Sequence, residues 1–208
     1  MAGWQEPIAG IAKRLMPVPE VIDDALDLEP DWLPDIPHAQ PPVPAAVLIA
    51  LVERPEGHTI LYTKRSPQLR AHSGQVAFPG GKLEPCDTGP AEAALREAAE
   101  EVSLDAADCE ILGYLPAYYT GTNYLITPVV AAVRPKAPFI PDPREVSDLF
   151  EVPLGLLVQP QSYSTYRIAR RGVTHSTWQI LYGGHTIWGI TGNLTRRFYE
   201  LALREDAQ

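Results

Sequence analysis

The longest uninterrupted apolar run of this 208-residue sequence, residues 45–52, restricts the fold more than any other feature. It lies within a stretch of β-branched and aliphatic residues at 43–53, and a polar loop containing Pro55 and Gly57 separates it from a second such stretch at 59–64. The two stretches predict a β-hairpin. The run is far shorter than the roughly 20 residues that a membrane-spanning helix needs, so it predicts a strand of a soluble protein.

Strand and helix signals alternate along the rest of the chain without the regular rhythm of a doubly wound parallel fold. Further strands are predicted at 75–78, 109–119, 125–133, 146–152, 163–169 and 174–182, and helices at 90–102, 154–158 and 191–204. This mixture predicts an α+β fold in which a mixed β-sheet lies between a few helices. On the closing helix, Leu194, Phe198 and Leu201 recur at helical spacing, which predicts that Arg196 faces solvent.

The first 42 residues are rich in proline and acidic residues and predict an N-terminal arm, followed by one domain over 43–208. The arm cannot build a core alone and therefore needs a surface. Basic residues of the C-terminal half could supply it, so we expect the acidic stretch from Asp23 to Asp35 to pair with arginines there, in the same chain or in a dimer partner. These arginines are Arg167, Arg170, Arg171, Arg196 and Arg197. In the alternative, those arginines bind a phosphate of the ligand.

The charge distribution points to a small anionic ligand. The net charge is −9, which argues against nonspecific binding of nucleic acid. Residues 57–83 and 152–199 contain no acidic residue but carry several arginines and lysines. The two cysteines form neither a metal-ligand pattern nor a disulfide framework, and no signal peptide is evident. These features predict a cytoplasmic protein with no membrane partner.

The predicted helix at 90–102 carries a dense group of carboxylates. At about 100° per residue, its apolar residues form one stripe, and Arg96, Glu97, Glu100 and Glu101 fall on the opposite side. Glu97 and Glu101 are a like-charge pair one turn apart, which a divalent cation would offset. Mg²⁺ takes oxygen ligands and commonly keeps substrate phosphates among them. A solvated acidic helix face would look similar, but the preceding Phe-Pro-Gly-Gly turn makes the combination specific.

This segment resembles the signature box of the Nudix hydrolases, G-x5-E-x7-R-E-U-x-E-E-x-G-U, where U is aliphatic. The matching residues are Gly81, Arg96, Glu97, Ala98, Glu100, Glu101 and Leu104. Asp87 stands at the first acidic position with one extra residue before Arg96, and Ser103 stands where the pattern has glycine. The resemblance implies a Nudix fold with Mg²⁺ or Mn²⁺ as the cofactor.

A second signature lies directly upstream and resembles the coenzyme A pyrophosphatase branch of that family. Its pattern is L-L-T-x-R-S-x3-R-x3-G-Q-x3-F-P-G-G, which residues 61–81 follow with Tyr62 at the second position and with two residues instead of three between Gln75 and Phe78. The two signatures together cover residues 60–104. The substrate-binding residues it implies are Arg65, Ser66, Arg70, Gly74, Gln75 and Phe78.

The resemblance implies an enzyme that hydrolyses the diphosphate of coenzyme A or its thioesters to 3′,5′-ADP and 4′-phosphopantetheine. The implied metal-binding residues are Gly81, Glu97, Glu100 and Glu101, with Arg96 as an orienting residue. Glu145 is our choice for an additional catalytic carboxylate. The residues themselves support this chemistry, because carboxylates that hold a cation and arginines that hold phosphates are both present.

Two other functions are compatible with the sequence. A Nudix hydrolase could act on ADP-ribose or another nucleoside diphosphate derivative, since the box does not separate these substrates. A non-catalytic Nudix domain could serve as a ligand sensor, although the box glutamates that such a domain would lose are intact here. The sequence does not identify the general base. A homodimer is expected by analogy with relatives.

Overall fold

The computed structural model of the protein describes residues 5–23, 28–34, 38–69, 72–170 and 173–204. The strands are β1 (Val43–Arg54), β2 (Gly57–Arg65), β3 (Val76–Ala77), β4 (Gly80–Lys82), β5 (Cys109–Tyr114), β6 (Tyr118–Tyr119), β7 (Tyr124–Val133), β8 (Val146–Pro153), β9 (Ser164–Arg170), β10 (Val173–Tyr182) and β11 (His185–Ile187). The helices are α1 (Gln5–Ala12), α2 (Pro90–Val102), α3 (Leu154–Leu157) and α4 (Gly189–Phe198). Within these residues, no helix is long and apolar enough to span a membrane.

The main sheet is mixed and has the strand order β3-β2-β1-β7-β5, with β8 added to β2, β4 to β1 and β6 to β7. Strands β1 and β7 run parallel, and the other pairs are antiparallel. The predicted 43–53 and 59–64 hairpin is confirmed as β1 and β2. A turn at residues 182–185 connects β10 to β11 in a separate three-stranded sheet.

Strand β1 is apolar from Val43 to Val52 because both faces of its central part are buried. Ala46, Leu48 and Ala50 point toward α2 and pack in one core cluster, whereas Ile49 and Leu51 belong to the cluster on the opposite face. Side chains alternate between the faces of a strand, so an uninterrupted apolar run is what a doubly covered strand requires. The predicted mixed sheet between helices is therefore confirmed.

The N-terminal arm contributes to the core and lies along the edge formed by β5, β6 and the turn at 120–123. Ile11 and Leu15 are buried, and Met16 exchanges backbone hydrogen bonds with Tyr114. Farther along, the Asp31 carboxylate accepts hydrogen bonds from the Gly121 amide at 2.6 Å and the Tyr118 hydroxyl at 3.1 Å. Among the described residues, no arginine pairs with Asp31, so the expected pairing is wrong for this acid: backbone and phenol donors lie next to it instead. Much of the rest of the stretch from Asp23 to Asp35 lies outside the described residues.

Helix α4 ends differently from the prediction. Residues Tyr199–Leu203 form a turn of π-helix, which shifts the apolar stripe and leaves Leu201 42% exposed. The β9–β10 hairpin also packs over the helix, so the side chain of Arg196 is only 17% exposed. Its guanidinium lies 4.5 Å from the centre of the Trp178 ring. The predicted solvent-facing position of Arg196 is wrong because the hairpin covers it.

Candidate active site

Helix α2 begins where its sequence signals predict. Pro90 occupies its first turn, and Gly89 precedes it. The helix ends at Ser103, which adopts a left-handed conformation with φ of 56°, the conformation that glycine adopts at least cost. The family pattern has glycine at this position. The Ser103 hydroxyl donates a hydrogen bond to the Ile140 carbonyl, which ties the end of α2 to the segment before β8.

The three glutamates of α2 differ in burial, contrary to the single exposed face that the sequence predicted. Glu101 is 3% exposed, whereas the side chain of Glu100 is 58% exposed and that of Glu97 is 16% exposed. Ala93, Ala94, Ala98 and Val102 form the buried side of the helix. Glu101 lies one helical turn from Ala98 on that side, so the small alanines bring the helix close enough to the sheet to enclose its carboxylate.

Glu101 lies in an unusual electrostatic environment. Burial raises the pKa of its carboxyl to about 8, and the nearby charges of Glu97 and Glu145 act in the same direction. Arg65 opposes this effect, with Nη1 at 3.9 Å from Glu101 Oε1. Among the described residues, Glu101 Oε2 and Arg65 Nε are buried polar atoms without a hydrogen-bond partner. Both atoms are shielded from solvent, so this end of the site holds polar groups that the protein itself does not pair.

The Gly80-Gly81 turn forms β4 and brings its backbone against α2. A methyl group on Gly81 would lie 2.3 Å from Glu97 Oε1, and one on Gly80 would lie 2.4 Å from the Ala46 carbonyl oxygen. Glycine at position 80 therefore lets β4 approach the backbone of β1, and glycine at position 81 leaves room for the Glu97 carboxylate beside β4. This proximity fits the expectation that the Gly81 backbone and the Glu97 carboxylate bind the same cation.

Arg96 links the loop before α2 to the glutamates on the helix. It donates hydrogen bonds to both carboxylate oxygens of Asp87 at 3.0 Å, to Glu97 at 3.0 Å and to Glu100 at 3.4 Å. It also donates to the Lys82 carbonyl. These bonds raise the pKa of Arg96. Sequence reasoning noted Asp87 only as a departure from the pattern, and its role as the partner of Arg96 was missed.

The donor set fits a hard divalent cation such as Mg²⁺. Carboxylates converge from α2, the free Glu101 oxygen is buried, and the backbone of β4 approaches without a side chain. In the part of the chain that the structure describes, no three acidic, histidine or cysteine side chains are already close enough to hold an ion. Glu97 and Glu100 are instead held by Arg96, so cation binding requires these side chains to rearrange.

The upstream signature forms a loop between β2 and β3. The Arg65 amide donates to the Gln75 carbonyl, and the Gly74 amide donates to the Arg65 carbonyl, which closes the loop. Gly74 has a φ of 70°, which favours glycine. The Ser66 amide donates to the Glu145 carbonyl at 2.7 Å, so Glu145 is held beside this loop. Arg70 lies outside the described residues.

Two residues predicted to bind substrate are buried below the site. Phe78 is 3% exposed and stacks on Tyr62, with ring centres 4.9 Å apart. Ser66 is 2% exposed, and its hydroxyl accepts a hydrogen bond from the Gln68 amide. The structure therefore places Phe78 and Ser66 in the packing that supports the loop, whereas Arg65 is placed with the carboxylates.

The fold and this arrangement of glycine turn, loop and carboxylate-bearing helix define the class of protein. The NUDIX domain model matches residues 42–185, and the chain belongs to the Nudix family and is a Nudix hydrolase. Members of this family act on small-molecule substrates.

Two curated relatives cover most of the chain. This chain is 43% identical over 160 residues to the uncharacterized Nudix hydrolase NudL of Escherichia fergusonii, and the match covers 77% of this chain and 81% of that protein. The identity to NudL of Escherichia coli is 42% over the same shares. The solved structure of DR0079 from Deinococcus radiodurans has a TM-score of 0.50 and 17% identity, covering 88% of this chain and 92% of that chain, and is similar in fold.

Proposed function

We propose that this Nudix hydrolase is a Mg²⁺- or Mn²⁺-dependent pyrophosphatase of coenzyme A or its thioesters. The observation that carries the proposal is the position of Arg65, a residue of the coenzyme A signature, directly beside the α2 carboxylates with its Nε unpartnered. A guanidinium in this position can bind diphosphate oxygens by charge-assisted hydrogen bonds. The same cleft therefore offers groups for the cation and for the phosphates.

In the proposed reaction, one water molecule adds across the diphosphate of coenzyme A to give 3′,5′-ADP and 4′-phosphopantetheine. Glu97, Glu100, Glu101 and the Gly81 backbone would hold the cation, which supplies Lewis-acid stabilisation of charge on the diphosphate when bound. Arg96 orients Glu97 and Glu100, and Arg65 binds the diphosphate. Glu145 adds negative charge close to Glu97 and Glu101, which makes it the candidate for accepting a proton from water.

The proposal is tested by incubating the purified protein with coenzyme A and separating the products by chromatography, with and without Mg²⁺. We expect 3′,5′-ADP and 4′-phosphopantetheine in equal amounts, only when a divalent cation is present. ADP-ribose is the comparison substrate. Much faster hydrolysis of ADP-ribose would replace the coenzyme A assignment, and ligand binding without turnover of either compound would favour a sensor. The proposal also includes a cytoplasmic location and a homodimer. Light scattering of the purified protein would test the homodimer.

A further inference from the structure

A cavity lies between α4 and the β9–β10 hairpin, and none of its lining residues belongs to α2. Its volume is about 360 Å³, which is within the range of sites for small organic ligands. Tyr118 and Trp178 give it aromatic walls, Thr165 and Ser176 give it hydroxyl groups, and Arg197 gives it a guanidinium. The two family signatures include none of these residues, and the sequence offered phosphate binding only as an alternative role for the arginines of this region.

The cavity keeps one positive charge that the protein does not neutralise. Arg196 is paired with Glu200 at 2.6 Å. Among the described residues, no carboxylate pairs with Arg197, whose guanidinium donates a long 3.5 Å hydrogen bond to the Ala117 carbonyl and lies 5.5 Å from the Tyr118 ring centre. A half-buried guanidinium with most of its donors unused is suited to binding an anion.

Unused hydroxyl donors face the cavity from the hairpin. Trp178 lies opposite Thr165 in the β9–β10 ladder, and Ser176 is two residues before Trp178, so all three share one face. Within the described ranges, the hydroxyls of Thr165 and Ser176 have no hydrogen-bond partner in the protein. They and Arg197 line the same cavity and together offer donors to a phosphate group. The carboxylate of Glu200 also lines the cavity, but it is paired with Arg196.

The aromatic walls are held in place by Asn193 on α4. Its side-chain oxygen accepts from the Trp178 amide at 2.9 Å, and its side-chain nitrogen donates to the Tyr118 hydroxyl at 2.8 Å. Trp178 nevertheless remains 37% exposed. Arg196 lies over one face of the indole, and the exposed remainder can contact a planar group that enters the cavity, since aromatic side chains commonly stack with bases.

We propose that this cavity binds the phosphate monoester end of a nucleotide, with Arg197, Ser176 and Thr165 contacting the phosphate and Trp178 contacting the base. The ligand has two possible sources. It is either the 3′-phosphorylated adenosine of coenzyme A, which rests on the proposed function, or a separate nucleotide that regulates the enzyme. The chemistry of recognition is the same for both.

Binding of 3′,5′-ADP without divalent cations, measured by calorimetry, tests the proposal. We expect Arg197→Gln to raise Kd about tenfold or more, the loss expected for one charge-assisted hydrogen bond. Arg197→Lys should retain part of the affinity, and Ser176→Ala and Thr165→Val should each weaken binding. Arg204→Gln, an exposed arginine outside the cavity, should leave Kd unchanged. An unchanged Kd in Arg197→Gln and both hydroxyl variants, with melting temperatures like wild type, would overturn the proposal.

Kinetics distinguish the two sources. If the cavity binds part of the substrate, 3′,5′-ADP inhibits competitively, and Arg197→Gln raises KM for coenzyme A more than for the analogue that lacks the 3′-phosphate. If a separate nucleotide binds, inhibition is not competitive and Arg197→Gln leaves both KM values unchanged. Hydrolysis of coenzyme A by the wild-type protein tests the proposed function separately, because the binding experiment does not depend on turnover.

Discussion

Arg96 and Asp87 are joined by two parallel hydrogen bonds, from Nε to Oδ1 and from Nη2 to Oδ2, each 3.0 Å long. The pair connects the loop after β4 to the middle of α2. The remaining Arg96 nitrogen, Nη1, is thereby directed at Glu97 and Glu100. The position of these two glutamates therefore depends on a residue nine positions earlier in the chain.

We expect Asp87→Asn to lower kcat/KM and the affinity for Mg²⁺ together by about tenfold, as loss of a residue that orients metal ligands does. The reason is that asparagine cannot accept both hydrogen bonds from Arg96. The measurement is a Mg²⁺ titration of hydrolysis. Glu84→Gln changes an exposed acid in the same loop and should match wild type. Equal Mg²⁺ dependence in the two variants would contradict the role of Asp87.

Glu101→Gln should lower kcat at least about 100-fold at saturating Mg²⁺, and Glu97→Gln should act similarly. The fold should persist, because glutamine has the shape of glutamate and places no charge at the buried position of Glu101. The melting temperature without Mg²⁺ checks this second point and should not fall for Glu101→Gln. Wild-type kcat in either variant would remove these residues from the proposed cation site.

Gly81→Ala should disrupt the site without unfolding the protein. The added methyl group would lie 2.3 Å from Glu97 Oε1, so the carboxylate must move by about 1 Å, and displacements of this size can cost roughly 100-fold in rate. Gly155→Ala is the matched control, because nothing lies within 4 Å of its added methyl group. The prediction fails if Gly81→Ala and Gly155→Ala have the same kcat/KM.

Gly121→Ala should displace the N-terminal arm. The new methyl group would lie 1.2 Å from Trp32 Cδ1, an overlap that only movement of the whole indole relieves. We expect faster hydrogen exchange in residues 28–34. The melting temperature should also fall, by about 2–4 °C for each kcal/mol of unfolding free energy that the variant loses. Trp32→Ala should produce the same exchange pattern. Protection of residues 28–34 equal to wild type would show that the arm does not depend on this contact.

Glu151 should make part of the stability dependent on pH. Burial raises the pKa of Glu151, but hydrogen bonds from Arg54 at 2.6 Å and Thr59 at 2.5 Å together outweigh it and lower the pKa below its ordinary value. A lowered carboxyl pKa stabilises the fold above the pKa of the unfolded chain, and this contribution is lost as the pH falls through the folded value.

Glu151→Gln should therefore lower the free energy of unfolding by about 1 kcal/mol at pH 7. This value is smaller than for a fully buried ion pair because Arg54 and Glu151 are partly exposed to solvent. The difference from wild type should shrink progressively below pH 4.5, the ordinary value for glutamate. Urea denaturation at pH 7 and at pH 3.5 measures it. Glu110→Gln, at an exposed position on β5, is the control. A difference that is the same at both pH values would argue against this ion pair as its source.

The sequence by itself determined the elements and the family. Pro90 and the spacing of the alanines predicted α2, the apolar run at 45–52 predicted a strand, and the spacing from Gly81 to Glu101 identified the Nudix box. These features are local, because helix starts, side-chain alternation and short motifs depend on residues close together in the chain.

The tertiary structure decided which side chains are buried and which meet. The sequence placed Glu101 with Glu100 on an exposed face, but packing of α2 against β1 buried Glu101 and left Glu100 outside. Packing also placed Phe78 against Tyr62 in the core and the hairpin over Arg196. Such contacts join residues far apart in the chain, and their positions depend on how several elements pack at once, which periodicity within one element does not specify.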